Sequence, residues 1–189
     1  MVSVHNDKLR VAGEAFVLLN QAIEDLTVPE VVTRGPAWMT PGPLLRMAVR
    51  SSIITLYRLK EVRDHFLVPW LFADSELRAI GFPPIEELVD WRSFVIVRGQ
   101  YTGHSTSQKA TLHRPGRMIP PDVLGRAARK AGIWPGPAFI QRTRSLVPRV
   151  QRVRAQLSKR YPHVLLFRNE YTRAVREAAE GCPLGRSLG

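Results

Sequence analysis

The chain is poor in the features that mark several common protein classes. Among its 189 residues there is one cysteine, Cys182, so no disulfide can close within the chain, and no Cys/His cluster falls at zinc-ligand spacing. No apolar run reaches the ~18 residues that a membrane helix needs, and the opening MVSVHNDKLR lacks the apolar stretch of a signal peptide. A cytoplasmic protein is the expectation. The sequence has no GxxxxGK phosphate loop, no HExxH and no Ser-His-Asp signature with a nucleophile elbow, which sets aside ATPase, zinc hydrolase and serine hydrolase chemistry. Credible strands are scarce as well. The run Phe94, Val95, Ile96, Val97 is rich in β-branched residues but has almost nothing to pair with, so it reads as helix.

Acidic residues are missing from one part of the chain in particular. Residues 1–120 hold 14 Lys/Arg against 12 Asp/Glu, whereas residues 121–189 hold 14 against 4. Between Asp90 and Glu170 the one acid is Asp122, set against 16 basic residues. A field of this sign draws polyanions in and makes their binding fall with salt, and nucleic acid is the natural candidate. Two other readings remain open: a solvated arginine-rich surface, or a face that meets an acidic protein partner.

Periodicity divides the chain into amphipathic helices within one domain over residues 1–180, followed by a loose tail at 181–189. A first helix runs to about Leu26, with Val11, Ala15, Leu18, Ala22 and Leu26 near one face. Residues 34–43 carry three prolines and two glycines and read as a loop into which Trp38 and Met39 tuck. Thr40-Pro41 opens a second helix to about His65 or Phe66. Its apolar positions, Leu45, Val49, Leu56 and Leu59 widened by Met47, Ile53, Ile54 and Tyr57, imply burial on more than one side. The charged end at 58–65 reads as a solvated face, with support of a neighbouring site as the sharper role. A break at Pro69 is followed by a helical turn over 74–80 ended by Gly81, then by a helix that Glu86 and Glu87 start and in which Ile85, Leu88, Trp91 or Arg92, and Val95 continue the apolar phase. Beyond the polar loop 105–121, a short basic helix over 122–130 closes at Gly132, and 134–137 forms a turn. The next helix covers 138–160, restarted near Ser145 and Pro148, with Leu146, Val150, Val153 and Leu157 inward. Arg142, Arg149, Arg152, Lys159 and Arg160 form an adjacent sector, the best positional case for a phosphate-tracking surface. A last amphipathic helix runs from Pro162 to about Glu180, with Val164, Phe167, Tyr171 and Val175 near one side.

The sharpest chemical signal is WRSFVIVRGQYTGHSTS at 91–107, where five residues separate Arg98 from His104 and Gly99 and Gly103 lie just inside the pair. Arginine presents a permanent charge and a planar fork of donors to phosphate oxygens, while histidine exchanges protons near neutral pH. Six residues of straight α-helix advance about 9 Å and set two side chains roughly 120° apart. The pair can therefore converge in two ways. The helix can end near Thr102 with Gly103 turning the chain back, or two protomers can contribute to one cleft.

Arg98 and His104, the apolar residues 94–97 before them and the hydrophobic helix upstream resemble the Arg-x(4 to 6)-His motif of the HEPN superfamily of small all-helical proteins. The resemblance covers roughly residues 40–107. It implies an all-α, HEPN-like helical bundle, to which this chain adds basic amphipathic helices at its C-terminal side. It further implies a homodimer with the motif in the cleft between protomers, and a metal-independent ribonuclease of toxin or antiphage type with an antitoxin or defence-complex partner. One position departs from the family: many active members carry a polar residue directly after the arginine, where this chain has Gly99. On this reading Arg98 and His104 are catalytic, no metal or other cofactor is needed, and Gln100, Tyr101, Ser105, Arg142, Arg149 and Arg152 contact substrate. A non-catalytic RNA-binding or regulatory subunit is the first alternative. A helical assembly subunit that binds an acidic protein is the second.

Overall fold

Several helix starts and stops have a local cause, and the start of the helix that bears Arg98 sets where that residue stands. The computed structural model describes residues 2–32, 42–101, 120–166 and 173. Among these residues there are helices and turns and no strand. The all-α expectation holds at that level, and the run 94–97 is helical. No helix of the described residues is long and apolar enough to cross a membrane.

The first helix, α1 (Val2–Val32), buries Val11, Ala12, Ala15, Phe16, Leu19, Ala22 and Leu26 at helical spacing. It continues past Leu26 and through Pro29, against the expectation that it stops there. A proline inside a helix removes one amide donor, but Pro29 is buried, and that packing opposes the loss. The second helix, α2 (Gly42–Val62), is central. It lies against α1, and also against α6 (Gly136–Arg144) and α4 (Trp91–Tyr101). Burial on more than one side is what its broad apolar surface implied. Ala48, Val49, Ile53, Leu56 and Leu59 are buried, whereas Met47 is 66 % exposed and does not extend that surface inward.

Pro69 is not a break. The chain leaves α2 directly into a π-helical segment, Arg63–Leu71, that includes Pro69 and ends where the Phe72 amide donates to the Leu67 carbonyl at 2.9 Å. The wider π turn displaces the carbonyl that a proline ring strikes in an α-helix. The segment buries Arg63, Leu67 and Leu71. Arg63 is thus a core residue rather than part of a solvated helix end. Its side chain is 5 % exposed and its guanidinium pairs with Asp74.

Short α3 (Asp74–Ala79) is fixed by charge. Its first amides meet no side-chain cap from Ala73, but Glu76 reaches back to accept from the Ala73 amide at 2.7 Å, the second half of a capping box. Asp74 accepts from Arg63 and Arg78, and Arg78 forms a fork with both oxygens of Glu87 at 2.6 and 3.1 Å. Hydrogen bonds from Arg78 and then Arg63 hold the Asp74 carboxyl below its ordinary value. Arg160 does the same for Glu76, aided by the Ala73 amide. Gly81, at φ +81°, ends α3, and Gly132, at φ +67°, ends α5 (Pro121–Lys130). Each provides the left-handed residue of a Schellman-type stop, with Phe82 donating to Leu77 and Ile133 to Ala128, both at 2.8 Å.

The remaining helix, α7 (Val147–Arg160), restarts after α6 as the prolines implied, and its inner stripe of Val150, Val153 and Leu157 is buried against α1. One continuous apolar cluster joins residues from α1 to α7 and includes Val164. The expected loop at 34–43 and tail at 181–189 fall wholly or mostly outside the described residues, as do Trp38, Met39 and all of the last apolar stripe except Val164.

Candidate functional site

The motif helix begins later than its acidic approach implied. Residues Ile85–Glu87 form one 3-10 turn, and α4 starts only after Asp90. Asp90 is the cap: its Oδ1 accepts from the Ser93 amide at 2.8 Å and its carbonyl from the Phe94 amide at 2.9 Å. Hydrogen bonds from the Ser93 side chain and then its amide keep the Asp90 carboxyl below the ordinary value. This start sets the register. Ser93, Phe94 and Val97 face inward, and Val95, expected to be inward, is 42 % exposed.

That register carries Trp91 and Arg98, seven residues apart and so near one helix face, against Tyr57 of α2. The Arg98 guanidinium carbon lies 3.4 Å from the centre of the Tyr57 ring. Tyr57 and Trp91 stack with centroids 5.8 Å apart and planes at 16°, and Trp91 and Phe94 stack at 5.0 Å and 22°. Both distances lie in the range where offset aromatic pairs attract. Phe94 is fully buried, so an unbroken set of contacts runs from the core through two half-buried rings to Arg98.

A second cation steadies the set. Lys60 Nζ lies 5.4 Å from the centre of the Trp91 ring and pairs with Asp64 and Glu86. Burial opposes the charge on Lys60, but the hydrogen bonds and attraction of Asp64 and then Glu86 outweigh it and raise the ammonium above its ordinary pKa. Lys60 is therefore cationic at any physiological pH. Basic α5 packs beside α4, with Lys130 Nζ 3.8 Å from Asp90 Oδ2.

The other sequence-named residues are placed differently. Gln100 and Tyr101 occupy the last two positions of α4, and His104 and Ser105 lie outside the described residues. Arg142 and Arg152 are surface residues, but their donors turn inward to helix ends. Arg142 Nη2 donates to the Gly132 carbonyl at 2.7 Å and the Ala131 carbonyl at 3.3 Å, and Arg152 Nε donates to the Ile80 carbonyl at 2.9 Å. Arg160 does likewise, donating to the Leu71 carbonyl at 2.6 Å and to Glu76 Oε1 at 2.8 Å, and the hydrogen bond to Glu76, more than its charge, raises the pKa of Arg160. Arg154 donates to Asn20 Oδ1 at 2.9 Å. Cations suit these carbonyl ends because a helix C-terminus carries partial negative charge. Of the proposed substrate arginines, Arg149 is half-buried on α7 without such a bond.

The contact of Tyr57 with Arg98 was missed in sequence, where Tyr57 counted only as apolar surface. The available signal was the seven-residue interval between Trp91 and Arg98 facing a lone tyrosine on the adjacent hydrophobic helix. A separate cleft of about 560 Å³ lies between α1 and the end of α2, lined by Leu18, Gln21, Glu24, Asp25, Arg58, Glu61, Val62 and Phe66. Among the described residues no group of three or more His, Cys, Asp or Glu side chains could hold a metal ion. Comparison of the chain with protein-family models, curated proteins and solved structures finds no match.

Proposed function

We propose that the protein is a metal-independent endoribonuclease with an HEPN-like helical bundle, acting as a homodimer at a site built from Arg98 and His104. The observation that carries this reading is the fixed guanidinium of Arg98. It lies on an aromatic set anchored in the core, on a helix whose last residue, Tyr101, precedes His104 by three positions in sequence. A guanidinium carries its donors in its own plane, a geometry that suits phosphate oxygens.

In the reaction, the ribose 2′-oxygen bonds to phosphorus and the bond from phosphorus to the 5′-oxygen breaks, leaving a 2′,3′-cyclic phosphate. His104 either accepts the 2′-hydroxyl proton or gives a proton to the leaving 5′-oxygen, with water handling the other transfer. Arg98 stabilises charge that builds on the phosphoryl oxygens. The nucleophile belongs to the substrate, so the step requires no metal. Gln100, Tyr101 and Ser105 orient RNA near the pair, and Arg149, with Arg142 and Arg152 at lower weight, holds the backbone farther away. A toxin or antiphage setting, with an antitoxin or defence-complex partner, belongs to the same proposal and rests on the family resemblance.

The test is cleavage of mixed structured and single-stranded RNA in EDTA by the wild type, Arg98→Ala and His104→Ala, with binding followed in parallel. Cleavage lost in both variants with binding retained, and cyclic phosphate on wild-type products, is the expected result. RNA binding with a steep salt dependence and no cleavage points instead to the non-catalytic RNA-binding subunit. Absence of both, beside a stable complex with an acidic protein, points to the assembly subunit.

A further inference from the structure

We infer that Tyr57 is a positioning residue for Arg98: its ring sets the plane and location of the guanidinium that meets the scissile phosphate. This rests on the ribonuclease reading and adds to it a residue from a different helix, outside the motif.

Arginine has four rotatable side-chain bonds, so a guanidinium held only by charge samples many orientations, whereas phosphate recognition by two parallel N–H donors demands one plane. At 3.4 Å from the ring centre to the guanidinium carbon, Arg98 is at van der Waals contact with Tyr57 and cannot tilt freely. The ring is itself constrained. Trp91 stacks on Tyr57 and on fully buried Phe94, and Lys60 bears on Trp91 while tied to Asp64 and Glu86. Arg98 is thus coupled to the core through rings on two helices, and α2 and α4 must keep their packing for the plane to hold. The role requires an aromatic face at position 57 and makes no use of the phenolic hydroxyl. It also requires a planar cation at position 98, which lysine cannot supply.

The experiment compares wild type, Tyr57→Phe, Tyr57→Leu, Arg98→Lys and the Tyr57→Leu/Arg98→Lys pair. Steady-state cleavage of one RNA oligonucleotide in EDTA is read beside the Arg98 Nε–H resonance of the intact protein. Wild type should show an upfield ring-current shift at Arg98, kept in Tyr57→Phe and lost in Tyr57→Leu. Misplacing a reacting group by about 1 Å costs up to ~100-fold in rate, so Tyr57→Leu should lower kcat ~10- to 100-fold with KM changed less than ~3-fold. Tyr57→Phe should stay within ~2-fold, a rescue that a purely structural role for the ring would not separate into kcat. Arg98→Lys should cost much in wild type and little in the Tyr57→Leu background. If wild type cleaves while Tyr57→Leu keeps its kcat, or if wild-type Arg98 shows no ring-current shift, the positioning role is wrong and the ribonuclease reading stands. If clean wild type does not cleave, the ribonuclease reading fails and takes the positioning role with it, even where the resonance shows Arg98 fixed on the ring. The wild-type resonance needs no variant, so a Tyr57→Leu protein that fails to fold leaves the inference open to refutation.

Discussion

Arg98 and Arg160 are the same side chain used in two ways. Arg160 directs its in-plane donors at a backbone carbonyl and a carboxylate, joining the end of α7 to the end of the π-helical segment and to α3. Arg98 lays the face of its guanidinium on Tyr57. The first arrangement occupies donors of the kind that recognise phosphate, and the second sets the guanidinium carbon over an aromatic face. Arg142 and Arg152 follow Arg160, each joined to backbone carbonyls at the C-terminal stop of another helix. Part of the basic excess of the chain is therefore structural. A count of arginines on one helix face overstates the phosphate-binding surface, and the partner of each guanidinium tells the two uses apart.

The largest effect that would sharpen this contrast concerns the proposed catalytic pair, Arg98 and His104. Removing a general acid or base costs ~10²- to 10⁴-fold, so His104→Ala should lose at least ~100-fold in kcat with RNA affinity kept, measured by single-turnover cleavage. Phe94→Ala attacks the other end of the aromatic set. Phe94 is fully buried, and truncating a core phenylalanine costs about 3–5 kcal/mol, which denaturant unfolding should report together with loss of cleavage.

A smaller effect is expected from Gly132→Ala. Its φ is +67°, and an added Cβ would fall 2.5 Å from Arg142 Nη2. The left-handed conformation alone costs an L-residue about 1–2 kcal/mol, and displacement of Arg142 from the α5 end should add to it. The denaturant midpoint should fall while cleavage stays near wild type. Acid should act on the same class of contacts. Asp74 and Glu76 are held below their ordinary values of 3.8 and 4.5 by arginine hydrogen bonds. Carboxylates with depressed folded pKa stabilise the fold above their ordinary range, and that stability is lost as pH falls through the depressed values. The melting temperature should drop on acidification below about pH 4.5, and Asp74→Asn should flatten the slope. The smallest effect separates the arginines of α7. Arg149→Ala should reduce the salt slope of RNA binding by about one unit at unchanged stability. Arg152→Ala should instead lower stability by about 1 kcal/mol, the net worth of one hydrogen bond.

The helices were legible in the sequence because apolar residues recur at 3.6-residue spacing, and Gly81 and Gly132 were legible as stops because a positive φ favours glycine. The start of α4 was not. Glu86 and Glu87 have the charge of a first helical turn, but Asp90 supplies the side-chain oxygen that caps it, and the resulting register turns Val95 outward. Pro69 misled because the rule against internal proline presumes α-helical geometry, which the π segment lacks. Arg98 was legible as a chemical group. Its seat on Tyr57 depends on packing between α2 and α4; the seven-residue interval from Trp91 to Arg98 marks the face of α4 but does not by itself pick the partner on α2. The arginine sector of α6 and α7 was legible as charge, but its carbonyl partners lie on α3, α5 and the π segment, 10 to 89 residues away along the chain.

Parallel cleavage and unfolding of Arg98→Ala and Arg160→Ala would test most directly the claim that these two arginines serve different ends. Arg98→Ala should lose at least ~100-fold in kcat, as removal of a transition-state donor does. Arg160→Ala should keep kcat within about two-fold and lose ~1.5–3 kcal/mol of stability, the range for hydrogen bonds to charged groups. Cleavage undiminished in Arg98→Ala, or lost equally in both variants, would contradict the account.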